Sequence, residues 1–293
     1  MLKGVLSAGA AFTLWGIFPV YLRLLKSVPA LEILSHRVVW SVVLLLVLLG
    51  ARRQWQWLQS IRQRPGIVLA FIGSALLLGT NWVVYIWAVN SDRVIDASLG
   101  YFITPLFNVL FGIALGERLR AVQWTAILLA ASGVVWLTVS AGQLPWIGLV
   151  LAISFSLYGL IRKTAALGAL EGLTVETAVL LPVAAGFLLL PDAGSSHAFG
   201  TAPVLTLLLI AAGPVTAVPL LLFAYGARRI PLSLVGILQY IGPSLQLLLG
   251  VLLYQEPFGG HKMAGYALIW SGLILFSAES LWRSQRRSPR PPV

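Results

Sequence analysis

Apolar residues in this chain run in stretches of about twenty, broken by short polar joints. A helix that crosses a bilayer needs roughly 20 predominantly apolar residues. Ten stretches meet that length: 2–25, 30–50, 66–90, 95–116, 121–140, 145–165, 172–190, 203–226, 232–254 and 262–282. The joints carry turn chemistry, as in Arg64-Pro65-Gly66 and Pro191-Asp192-Ala193-Gly194. The pattern predicts an all-α membrane protein of ten transmembrane helices. The opening Met1–Gly16 imitates a secretory leader, but its apolar run continues to Leu25, so it reads as the first helix.

Polar residues inside the stretches follow a design that occurs twice. Tyr101, Pro105 and Asn108 are spaced i, i+4, i+7 and share one face of the fourth span. A shift of 138 positions brings Tyr101 onto Gln239, Phe102 onto Tyr240, Pro105 onto Pro243, Asn108 onto Gln246 and Gly112 onto Gly250. Phe12-Thr13-Leu14-Trp15-Gly16 recurs as Phe155-Ser156-Leu157-Tyr158-Gly159, and Ser132-Gly133 recurs as Ser271-Gly272. The unit is five helices, over 1–140 and again over 141–282, followed by a basic tail, 283–293. Five is odd, so the second copy enters the membrane inverted. Inverted repeats with a site near the midplane are a plan of many secondary transporters.

Charge sets the orientation. Lys and Arg accumulate on the cytoplasmic side of a membrane protein. With the N-terminus inside, fifteen of the 20 Lys and Arg fall in inside loops or the tail. Both termini are then cytoplasmic. Only 10% of the 293 residues are charged, against about 25% in a soluble domain. The partner surface is therefore the lipid bilayer. The net charge of +11 sits in short loops without a long basic face, which argues against nucleic acid. There are no cysteines, so disulfides and thiolate sites are excluded.

Ionisable residues inside spans are functional candidates by default. His36 and Arg37 lie in the second span, Arg37 roughly 12 Å from its start at 1.5 Å per residue. They face a central cavity, where they bind an anionic group or take part in proton coupling, or Arg37 snorkels to the outer headgroups. Glu176 is the repeat-equivalent of Arg37. Glu32, Asp96 and Glu171 occupy first turns, where capping and the helix dipole account for them. Pro105 and Pro243 remove a backbone donor in mid-span and act as hinges. The faces of Tyr101 and Asn108, and of Gln239 and Gln246, line a cavity or glue helices together. Trp15, Asn81, Trp82, Tyr85 and Tyr158 supply candidate walls, and Phe102 and Tyr240 join the set through the repeat.

No nucleotide-binding GxxxxGK[ST] and no HExxH or GxSxG occurs. The three histidines, His36, His197 and His261, stand on separate segments. The expectation is a permease without cofactor or metal, not an enzyme.

Several motifs also carry a resemblance: Glu32-Ile33-Leu34-Ser35-His36-Arg37, Asn81-Trp82, Trp87-Ala88-Val89-Asn90, Ala97-Ser98-Leu99-Gly100-Tyr101-Phe102, Tyr158-Gly159-Leu160-Ile161-Arg162-Lys163 and Gln239-Tyr240-Ile241-Gly242-Pro243. With them the chain resembles the RarD permeases, EamA-type members of the drug/metabolite transporter superfamily. The resemblance runs over about residues 2–283. It implies a bacterial inner-membrane permease for small metabolites or drugs, with a family label of chloramphenicol sensitivity. It names no substrate and no homo-oligomer. A carrier working by alternating access is the leading reading, and a passive channel or facilitator is the alternative.

Overall fold

The computed structural model describes residues 2–53, 55–63, 66–114, 120–142, 144–164, 167–190, 196–227, 229–230 and 238–286. Among them there is no strand. Lipid offers backbone groups no partner, so helices that satisfy their own amides are the stable form for these apolar runs. The helices are α1 (Leu2–Leu24), α2 (Ala30–Arg52), α3 (Trp57–Gln63), α4 (Gly66–Asn90), α5 (Val94–Ala114) and α6 (Ala121–Ala141). They continue as α7 (Trp146–Thr164), α8 (Ala169–Leu189), α9 (Pro203–Ala227), α10 (Ile241–Leu248) and α11 (Gly260–Arg286). Six of them (α1, α2, α4, α6, α8 and α9) are long and apolar enough to cross a membrane, and α5, α7 and α10 hold shorter apolar runs.

The outside of the bundle is apolar. Val139, Val183 and Leu189 are 74%, 75% and 79% exposed, as suits side chains solvated by acyl chains. Inside, Leu22, Ile33, Ile86, Val94, Leu151 and Leu209 make a core shared by α1, α2, α4, α5, α7 and α9. Small residues let backbones approach. A Cβ on Gly133 would lie 2.6 Å from the Gly265 carbonyl oxygen, so α6 and α11 touch through glycine. A Cβ on Gly100 would lie 2.8 Å from the Gly148 carbonyl oxygen, which seats α5 against α7.

The helix partners form a pattern. α1 packs on α9 and α10, α4 packs on α7 and α8, and α2 packs on α8 and α9. α5 packs on α7 and α10, and α6 packs on α11.

The ninth span does not run unbroken from 232 to 254. A turn at Tyr240, whose own backbone is helical, precedes α10, and Pro243, which has no N–H to offer Gln239, falls in the first turn of that helix. A π-helical turn, Leu249–Leu253, then closes the element. Residues 231–237 lie outside the described residues, as do the side chains of Pro105 and Asn108. The short helix α3 was not foreseen. Its Trp57 packs near Leu45, Leu49, Leu170 and Leu173.

Candidate functional site

A cavity opens between the helices. Its walls come from α1 (Phe12, Trp15, Phe18), α2 (Arg37), α4 (Leu78, Asn81, Trp82, Tyr85), α5 (Tyr101), α7 (Phe155) and α9 (Thr216, Leu220). Gln239 and, in α10, Gly242, Pro243 and Gln246 complete it. Water-sized spheres can centre in about 70 Å³ of it, where one water needs about 10–15 Å³. That is room for a few waters or the polar end of a small solute.

Arg37 is the charged group of this wall. Its side chain is 4% exposed and does not snorkel outward. Nε donates to Thr216 Oγ1 at 2.8 Å. The guanidinium carbon stands 4.5 Å from the Trp82 ring centroid and 4.9 Å from that of Phe18, inside cation–π range. One terminal nitrogen is buried without a partner. No carboxylate lies within ion-pair distance of Arg37 among the described residues.

The amides are held as firmly. Asn81 Nδ2 donates to the Leu151 carbonyl and to Ser154 Oγ, each at 3.0 Å. Gln246 Nε2 donates to the Trp15 carbonyl at 3.0 Å, which leaves its buried Oε1 without a partner. The Tyr85 hydroxyl is likewise buried and unpartnered. Tyr101 stacks edge-on against Tyr85 and Phe155. The surface so built is aromatic, with a fixed cation and a few polar groups that have capacity to spare.

Of the residues the sequence singled out, Trp15, Arg37, Asn81, Trp82, Tyr85, Tyr101, Gln239, Pro243 and Gln246 meet in this cavity. Four others are placed elsewhere. His36 is one residue, or about 100° of helix, from Arg37, so the two cannot face the same way. Its ring stacks on Phe199 at 5.3 Å. Phe102 sits one residue from Tyr101 and packs edge-on against Tyr266 and Trp270. Tyr240 packs near Leu247, Tyr266 and Ile269. The Tyr158 hydroxyl donates to Glu176 Oε2 at 3.4 Å, away from the cavity.

Glu176 is fully buried and also accepts a short hydrogen bond from Ser74 Oγ. Glu32, expected to cap its own helix, reaches a distant segment. It takes the Ser196 amide (2.6 Å) and hydroxyl (2.7 Å) and the Ala198 amide (2.8 Å), tying that segment to the start of α2. Sequence reading passed over Phe12, Phe18, Phe155 and Thr216 in the cavity wall. Phe12 and Phe155 open the two copies of the repeated FxLxG-like motif, which was the available signal.

Residues 2–139 match the model of the EamA-like transporter family. The chain is 47% identical to Protein RarD of Escherichia coli (strain K12) over 288 residues, 98% of this chain and 97% of that one. The chain belongs to the RarD family of EamA-type transporters. It is 48% identical to an uncharacterized transporter of Vibrio cholerae, covering 95% of this chain and 93% of the relative. A crystal structure of another protein matches with a TM-score of 0.63 at 22% identity, over 94% of this chain and 97% of that one; it shares the fold. As a RarD-family member, the chain is a multi-pass membrane transporter of the drug/metabolite transporter superfamily.

Proposed function

We propose that the protein is a ten-helix inner-membrane carrier, which moves a small metabolite or drug-like solute through the Arg37 cavity by alternating access. Two five-helix halves are inverted relative to each other, and both chain ends are cytoplasmic. The spans are α1, α2, α4–α9, the one that holds α10, and α11.

The observation that carries this reading is the helix pairing. Number the spans one to ten and exchange each with the one five places on. Most of the closely packed pairs then map onto another packed pair or, like α2 with α8, α5 with α10 and α6 with α11, onto themselves. The contact of α1 with α9 exchanges with that of α7 with α4, and α2 with α9 exchanges with α8 with α4. Single hydrogen bonds follow the same exchange. Arg37 on α2 bonds Thr216 on α9, and Glu176 on α8 bonds Ser74 on α4. Two related halves that contact each other reciprocally have two equivalent ways to close. That supports a cavity opened alternately to each side.

The test is counterflow in proteoliposomes against a panel of metabolites and amphenicols, with and without a pH gradient. A carrier saturates and shows counterflow, and a passive channel shows neither. Replacing Tyr101, Asn108, Gln239 and Gln246 together by alanine should abolish saturable flux at normal expression. Unchanged kinetics would mean the path lies elsewhere. Tags at the two ends that report on opposite sides of the membrane would remove the inverted arrangement.

A further inference from the structure

We infer that the cargo is a small amphipathic organic carboxylate, whose anionic end pairs with Arg37 and whose apolar body lies on the aromatic wall. This deepens the carrier reading above and rests on it. An arginine shut away from water without a counter-charge is strongly disfavoured. Arg37 is 4% exposed and no acidic side chain among the described residues lines its cavity. Its Nε is committed to Thr216, and a terminal nitrogen has no acceptor. A guanidinium binds carboxylates through paired N–H groups, so the unpartnered terminal nitrogen of Arg37 suits that partner.

Two further groups fit the same cargo. The Tyr85 hydroxyl is a buried donor without a partner in the cavity wall, available to a second oxygen. Gln246 Oε1 is a buried acceptor without a partner, so a donor on the cargo body would be satisfied there. Trp15, Phe18 and Trp82 give the flat apolar surface for the remainder. The room available is a few water volumes, which limits the bound polar end to a single compact group rather than a polyphosphate.

The experiment titrates purified full-length protein by calorimetry with matched acid–amide pairs: acetate and acetamide, hexanoate and hexanamide, phenylacetate and phenylacetamide, 3-phenylpropionate and its amide. At least one acid should bind saturably and at least tenfold more tightly than its amide. Arg37→Lys should keep that preference, and Arg37→Gln should reduce it below threefold. Where Arg37→Gln does not fold, Gln239→Glu supplies an acid to the cavity while sparing Arg37, and should reduce acid binding at least tenfold. No acid preferred over its amide, or a preference untouched by the Arg37→Gln or Gln239→Glu variant, overturns the assignment. Counterflow separates the two readings. Saturable counterflow of neutral solutes that ignores Arg37→Gln removes the anion and leaves the carrier. Acid binding through Arg37 without any counterflow removes the carrier and leaves the anion site.

Discussion

Thr216 accepts a 2.8 Å hydrogen bond from Arg37 Nε while its own hydroxyl proton goes to the Ala212 carbonyl, also at 2.8 Å. A hydroxyl has one proton and two lone pairs, so the bond to Ala212 turns a lone pair toward the guanidinium. Thr216 thus holds the buried cation in place. Thr216→Val keeps the shape and removes the acceptor. It should lower stability by about 1–3 kcal/mol and weaken solute binding, whereas Thr216→Ser should stay near wild type. Thermal unfolding in detergent, together with binding titration, reads both.

Asp92 lies in the turn between α4 and α5, where Lys26 donates to it at 2.8 Å and Arg23 pairs with its other oxygen. The Lys26 hydrogen bond, with Arg23 beside it, holds its carboxyl below the ordinary 3.8. A depressed carboxyl contributes stability above the unfolded value, and that is lost as pH falls through the folded value. The contribution should therefore be full above about pH 3.8 and be lost only as pH falls further below it. The pair is half exposed, so Asp92→Asn should cost only about 0–1 kcal/mol at neutral pH, and less in high salt. Unfolding midpoints at two salt concentrations check this.

Glu256 is a cap supplied from the other end of the chain. Its carboxylate accepts from the Val94 amide at 2.8 Å and the Ile95 amide at 2.9 Å, the first free donors of α5. Glu256→Ala should cost about 1 kcal/mol, the usual value of a lost cap. Burial raises its carboxyl above 4.5 despite these two bonds. A raised carboxyl contributes most below the unfolded value and loses it as pH rises through the folded one. Glu256→Gln should keep one acceptor and abolish this pH dependence. A series of unfolding midpoints from pH 4 to pH 7 reads the difference.

Gly133 meets the Gly265 backbone where α6 and α11 cross, and Gly272 meets the Ala126 carbonyl oxygen two turns away. Gly133→Val places a branched side chain where even a Cβ would sit 2.6 Å from an oxygen. Overpacking of this kind costs about 1–3 kcal/mol. The variant should lose monodispersity on gel filtration before any variant in the cavity wall does.

Much of the architecture was written in one dimension. Runs of twenty apolar residues fixed the helices, because lipid leaves a buried backbone no other way to satisfy its amides. The recurrence of Tyr101-Pro105-Asn108 as Gln239-Pro243-Gln246 marked the inner face of the second half, and Gln239 and Gln246 do line the cavity. Helical spacing is enough for that, since it needs only one helix. What it could not decide was which neighbour each face meets. His36 and Arg37 are adjacent in sequence, yet one stacks on Phe199 and the other enters the cavity, because the axial rotation of α2 is set by α8 and α9. The partner of Arg37 is Thr216, 179 positions away, and that of Glu176 is Ser74, 102 positions away. Local periodicity carries no information about such pairs. Only the packing of the helices around one another brought an unpaired cation, a tethered amide and an aromatic wall to one place.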